Sequence, residues 1–353
     1  MWAYVGSRTT RERNARGEGI SVYRVDAHTG ALDLVQVLGG LVNPSFLAIN
    51  RAATRLYAVH GDCEDISAFG IEPGTGRLAL INRQPTGGRN PVHLALDPSE
   101  RFVIVSNHLG SSLAVLPLDE TGALQALSQL LPLSGTPGPH RLEQPFAKPH
   151  FNPFDPSGRW VLVPDKGVDR VFALRFAQGR LTLAHEAVAR EGAGPRHLAF
   201  HPRQPWAYAI NELDSTVTTY DFDAASGALQ PLQIVSALSD RFTGNSRASE
   251  IAVHPGGQAL YASNRGEDSV AVFRIDPADG HLRLAHTQPA GGRTPRFFTL
   301  SPCARWLYVL NEDSDGIVQL AVDDTGLALR ETGRAWACGS PVCMVFAQPF
   351  AQA

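Results

Sequence analysis

An all-β, seven-bladed propeller is the architecture this sequence predicts, on three observations. A proline-led strand recurs along the chain as NPSFLAIN, NPVHLALDP, KPHFNPFDP, GPRHLAFHP, SEIAVHP, TPRFFTLSP and SPVCMVF. Each of the first six copies is followed by an aromatic-rich second strand and then by a third, with turns such as GTGRL or ADGHL closing the unit. Short period-2 strands bounded by Gly, Asp, Asn and Pro are the mark of an antiparallel meander. Pro149 and Pro195 stand one pitch apart, as do Pro295 and Pro341, and the interval lies within the ~40–50 residues of a four-stranded blade.

In chain order, the first unit is incomplete: WAYVGSR matches a second strand, ISVYRVD a third and HTGAL a closing turn, while SPVCMVF at the other end supplies the missing first strand. Joining the two ends in one blade closes the ring and removes a free sheet edge. The second unit runs NPSFLAIN, RLYAVHG, ISAFGIEP, and the third NPVHLALDP, FVIVSNH, LAVLPLD. The fourth runs KPHFNPFDP, WVLVPDK, VFALRF, and the fifth GPRHLAFHP, WAYAINE, VTTYDFD. SEIAVHP, ALYASNR, VAVFRID and TPRFFTLSP, WLYVLNE, IVQLAVD complete the sixth and seventh. Two intervals are long, containing LSGTPGPHRLEQPFAK and LSDRFTGNSRAS; they have neither helical nor strand period and read as loops over one face. Residues 1–353 are expected to form a single propeller domain.

Composition restricts the function. The 353 residues are 43% hydrophobic and 18% charged, with a formal charge of -3, which argues against an electrostatically driven nucleic-acid or anionic-membrane binder. Cys63, Cys303, Cys338 and Cys343 have no CxxC spacing, so neither a zinc knuckle nor a redox pair is indicated. No run approaches the ~18 apolar residues of a bilayer span, and MWAYVGSRTTRER has no apolar signal core. The expectation is a cytoplasmic protein, a monomer or small homo-oligomer, without cofactor or metal.

Aligned from the turn residue that ends each first strand (Arg51, Pro98, Pro156, Pro202, Pro255 or Pro302), the repeats separate scaffold from site. One column holds Ser7, His60, Asn107, Asp165, Asn211, Asn264 and Asn311; a small polar residue in nearly every blade serves its own turn. The next column varies sharply: Arg8, Gly61, His108, Lys166, Glu212, Arg265, Glu312. At the start of the first strand stand Ser45, Val92, His150, Arg196, Ser249, Arg296 and Val342, followed by Phe46, His93, Phe151, His197, Glu250, Phe297 and Cys343. Because the first two strands are antiparallel, these variable columns share one end of the blade. First strands line the channel of a propeller, so the columns converge on one mouth. His201 and His254 fall at the opposite end, beside Asp97, Asp155 and Ser301 in the same column, and read as turn caps. Several cations at one mouth must be paired or face water or an anionic ligand.

GPRHLAFHP with AINELDSTV, SEIAVHPGGQALYASNRGEDSVAVF, TPRFFTLSP and KPHFNPFDPSGRWVLVPDKGVDRVF together resemble the seven-bladed lactonase family, which includes propeller-type bacterial 6-phosphogluconolactonases and fungal 3-carboxy-cis,cis-muconate cyclases. For the cyclase branch the resemblance implies a catalytic set of one His, two Arg and one Glu, matched here by His150, Arg196, Arg265 and Glu212. GPHRLEQPFAKPHF departs from the histidine-rich stretch of many members and keeps only His150. Lys166, His197, Glu250, Arg296 and His108 are the expected substrate-binding residues. The substrate would be a small anionic lactone or muconate, held by guanidinium groups. Hydrolysis requires a base for water, from Glu212 or His150, and a donor to the developing oxyanion, from Arg196 or Arg265. The leading expectation is metal-free hydrolysis of 6-phosphogluconolactone. A carboxymuconate cycloisomerase is the enzymatic alternative, and a peptide-binding scaffold the non-catalytic one.

Overall fold

The computed structural model describes residues 1–347. Its strands form seven sheets, each an antiparallel meander, and the first joins the two chain ends in the order Pro341–Ala347, Trp2–Ser7, Gly19–Val25, Leu32–Gly39. Trp2 pairs with Ala347 on one side and Arg24 on the other, so the N-terminal strand is held at both edges. The remaining sheets begin with Pro44–Ile49, Pro91–Leu96, Trp160–Asp165, Pro195–Phe200, Arg247–Val253 and Pro295–Leu300. Only two short 3₁₀ turns, Arg11–Arg13 and Glu312–Ser314, are helical among the described residues.

The fourth blade departs from the expected pattern. KPHFNPFDP is not a regular strand but touches its neighbour through isolated bridges, Pro149 to Asp165 and Phe154 to Val161. Pro153 cannot donate to a ladder. Between the bridges the buried Asn152 turns toward the third blade, donating to the Ile104 carbonyl at 3.0 Å and accepting from the Ser106 hydroxyl at 2.7 Å.

The core lies between blades rather than within them. Second strands such as Trp160–Asp165 and Trp206–Asn211 are buried along their whole length, because neighbouring sheets cover both faces. Outer strands such as Leu78–Pro85 and Leu229–Ser236 are largely exposed. A tyrosine in the second strand staples each of five blades to the next. Tyr4, Tyr57, Tyr208, Tyr261 and Tyr308 donate to the carbonyls of Gly76, Gly122, Gly280, Gly326 and Gly30, respectively. Each acceptor glycine has positive φ, the conformation that its turn needs and that a side chain would strain.

The recurring small polar column does more than cap its own hairpin. Asn107 donates to Ser112 Oγ within the hairpin and to the carbonyl of Thr86 where the preceding blade ends; Asn264 does the same with Ser269 and Ala237. At the opposite end of the blades, His201 Nδ1 accepts the amides of Arg203 and Gln204, and His254 Nδ1 accepts that of Gly256.

Candidate active site

Two neighbours in an ordinary strand face opposite ways, yet Arg196 and His197 both line one cavity. A bulge resolves this. Pro195 pairs with Asn211 and His197 with Ile210, leaving Arg196 as the extra residue. The same shift follows Pro44, Pro91 and Pro295. A bulge re-aims side chains at the end of a strand, so these blades send two consecutive residues toward the axis. The resulting cavity is narrow, about 20 Å³, with Arg8, Arg196 and Arg296 in its wall beside His150 and His197.

Below it the channel is plugged. Phe151 stacks on His197 with centroids 4.2 Å apart and lies 3.9 Å from His93, while Phe46 packs on His93 and Phe297. The cavity is therefore a pocket open at one end.

Around it runs a network of opposite charges. Glu212 Oε2 lies 3.1 Å from Arg196 Nε, a close ion pair without hydrogen-bond alignment. Its Oε1 lies 3.3 Å from Lys166, 3.4 Å from Arg265 and 3.7 Å from Arg247. Burial pushes the Glu212 carboxyl up, but Lys166, Arg265, Arg196 and Arg296 outweigh it and hold the group well below the usual carboxylate range. Glu312 pairs with Arg8 at 2.9 Å and Arg296 at 3.7 Å. Glu143 lies 2.9 Å from Lys166 and 2.7 Å from Arg247. Six cationic side chains thus share Glu212, Glu312 and Glu143, with Asp62 4.0 Å from Arg8, leaving the mouth with a positive excess that favours an anion.

Hydrogen bonding fixes one tautomer. Arginine only donates, so the 3.1 Å contact between Arg196 Nη1 and His197 Nε2 makes Nε2 the acceptor. The ring proton then sits on Nδ1, which donates to Glu250 Oε1 at 3.1 Å. Burial pushes Glu250 up to about 8, against the opposing pull of Arg196, the Ile251 amide and Arg296, and holds His197 well below its ordinary value with help from Arg196.

His150 is differently placed. Its Nδ1 is buried with no hydrogen-bond partner among the described residues, and its ring lies 5.1 Å from those of both His108 and His197. Burial, followed by the charge of Arg196, keeps it well below the usual imidazole range, so it is neutral near pH 7. His108, close to the Pro149 carbonyl, is pushed down to about 3 by burial and by Lys166.

His150, Arg196, His197 and Arg296 are brought to the cavity itself. Glu212, Lys166 and Arg265 form the charged cluster against Arg196, whereas Glu250 stands behind His197. Four further residues belong to the assembly. Arg8 and Glu312 stand in the variable column, where the change of charge between blades marks them. Glu143 comes from the long interval before His150, which no other blade repeats, and Arg247 opens the first strand of the sixth blade. Among the described residues no group of three or more His, Cys, Asp or Glu is placed to hold a metal, and no helix is long and apolar enough to cross a membrane.

Comparison with known proteins places this geometry in a larger set. The family model described as lactonase, 7-bladed β-propeller, matches residues 2–346. A 6-phosphogluconolactonase of Bacillus subtilis is 32% identical, covering 98% of this chain and 99% of its own. One of Formosa agariphila is 33% identical over 89% and 90%. The solved structure of a periplasmic gluconolactonase from Pseudomonas aeruginosa superposes with a TM-score of 0.89 at 28% identity, covering 98% of this chain and 99% of that one.

Proposed function

Because the chain belongs to the seven-bladed β-propeller lactonase family, we propose that it hydrolyses a small anionic sugar lactone, 6-phosphogluconolactone above all, at the cavity beside His150 and Arg196. The observation that carries the mechanism is the His150 ring in the wall of a pocket whose carboxylates are already taken up by cations. A neutral imidazole free to accept a proton is a general base. Glu212, ringed by Lys166, Arg196, Arg247 and Arg265, is too well stabilised as a carboxylate to serve as one, and its role is to hold the cations in place.

His150 takes a proton from water as the water oxygen bonds to the lactone carbonyl carbon. The carbonyl oxygen gains the negative charge, which Arg196 stabilises from a preset position. Arg196 is preset because the Ser249 carbonyl at 2.7 Å, His197 Nε2 and Glu212 hold its guanidinium. The tetrahedral centre then collapses, the ring C–O bond breaks, and protonated His150 returns its proton to the departing alkoxide. The product is the open-chain hydroxy acid. Arg296 and Arg8, tied to Glu312, line the same cavity and supply further attraction for an anionic substrate, with Lys166 and Arg265 behind them. The four free thiols fit a reducing compartment such as the cytoplasm.

The experiment is a panel of phosphorylated and neutral lactones and of muconates, assayed with and without EDTA. Lactone opening that survives chelation is expected. Turnover of muconates alone would move the chemistry to cycloisomerisation, and loss with EDTA and rescue by one metal would reject the acid–base scheme.

A further inference from the structure

Glu143 has no counterpart in the other blades, yet it makes the shortest contacts to two site cations. It belongs to the interval before His150, and its neighbour fixes that segment. Gln144, almost wholly buried, donates from Nε2 to the Lys166 carbonyl at 2.9 Å and accepts the His140 amide on Oε1, while its own amide bonds the His140 carbonyl at 2.8 Å. Gly138 N–H adds a bond to the Gly167 carbonyl. The backbone is thus pinned to the fourth blade, whereas the Glu143 side chain is 23% exposed and Arg247 44%. A rotatable carboxylate on a fixed pivot lies between an ammonium and a guanidinium.

We infer that Lys166 and Arg247 form the seat for the anionic group at the far end of the substrate, and that Glu143 occupies this seat as an internal surrogate until the substrate displaces it. The inference rests on the lactonase reading for the identity of the substrate, and on geometry for the seat. Each Glu143 oxygen meets one cation, Oε2 at Lys166 Nζ and Oε1 at Arg247 Nη1, the arrangement in which two oxygens of a phosphate monoester would be received. The seat adjoins the reaction cavity, since Lys166 and Arg247 share Glu212 with Arg196. A phosphorylated sugar lactone carries its phosphate on the carbon most remote from the reacting carbonyl, as this layout requires. Without Glu143 the two cations would have only Glu212, at 3.3 and 3.7 Å, so an internal anion also prevents their mutual repulsion in the empty enzyme. Stable carboxylate character is consistent with this: burial pushes Glu143 up, but Arg247 and Lys166 overcome it and hold it at about 2.

Inorganic phosphate, titrated by calorimetry into the wild type, Glu143→Gln and Arg247→Met, reads the seat without turnover. Removing the competing charge from a partly exposed pair is worth up to about 1 kcal/mol, hence phosphate binding to Glu143→Gln should tighten about fivefold, while Arg247→Met should weaken it. The ratio of kcat/KM for phosphorylated over unphosphorylated gluconolactone should rise in Glu143→Gln and fall in Arg247→Met, with melting curves confirming the folded state of both. Unchanged or weaker phosphate binding in Glu143→Gln, or unchanged binding in Arg247→Met, would overturn the seat and leave Glu143 a tie between loops. If the wild type opens no lactone, the lactonase reading fails, and calorimetry still decides the seat.

Discussion

Replacing Arg196 by Met tests the site at its centre. Methionine keeps much of the apolar stem but removes the guanidinium, with its bonds to the Ser249 carbonyl and His197 Nε2 and its ion pair to Glu212. Glu212 is not left orphaned, because Lys166, Arg265 and Arg247 remain within 3.7 Å. The cost to folding should therefore fall below the ~3–5 kcal/mol of breaking a lone buried pair. Loss of a preset donor at the developing oxyanion should cost ~100–1000-fold in rate, about 2.7–4 kcal/mol. The pH profile carries a second signature. The base works as neutral imidazole, and burial together with Arg196 holds His150 well below its ordinary value, so wild-type kcat/KM should persist to pH below the unperturbed ~6.5. In Arg196→Met the nearest charge opposing protonation is gone, and the acid limb should move up toward that value. Profiles of kcat/KM from about pH 5 to 9, normalised to folded protein, read both effects. A loss under ~10-fold with an unmoved acid limb would refute the assignment of Arg196 and its coupling to His150.

Glu212→Gln should lower stability by about 3 kcal/mol in urea titrations, because Arg196 and Arg265 lose their close carboxylate, yet keep the acid limb set by His150; disappearance of that limb would make Glu212 the base. Since the folded carboxyl is depressed, its stabilisation is present above the unfolded value near 4.5 and lost as pH falls through the folded one, so wild type and variant should converge in acid. Deleting Pro341 onward leaves Trp2–Ser7 with one bare edge and should produce aggregation in light scattering; an equally heat-stable monomer would contradict the closure. His201→Ala removes the acceptor of two turn amides and should cost ~1 kcal/mol of stability while kcat/KM stays within ~2-fold. A tenfold loss of activity would bring His201 into the site.

The blades were legible because each carries the same pattern, so WAYAINE and WLYVLNE announce one strand in two places. KPHFNPFDP misled because Pro153 sits where the other copies have strand, and the replacement contacts run from Asn152 to another blade. Comparing columns picked out Arg196, Glu212 and Arg265 through their failure to repeat. It could not reveal the bulge at Arg196, since a register shift leaves the residue count of the strand unaltered. Glu143 was hidden because its segment occurs once, and a residue without counterparts cannot be compared. The aromatic enrichment of second strands was visible, but the carbonyl that Tyr308 reaches belongs to Gly30, which no local pattern connects to it.

Ring closure also dictates an order of events. Trp2 finds its partner in Ala347, and the hydroxyl of Tyr308 bonds Gly30, so the strand Trp2–Ser7 must wait for Pro341–Ala347. At ~5–20 residues per second of synthesis, the wait is roughly 20–70 s. Throughout it, the run Ala3–Val5, wholly buried in the finished ring, has an unpaired edge. Such distant pairing also makes folding slow, because the chain loop must close before any contact rewards it. The nascent chain is thus most prone to misassembly at its first strand, where a chaperone would act with greatest effect.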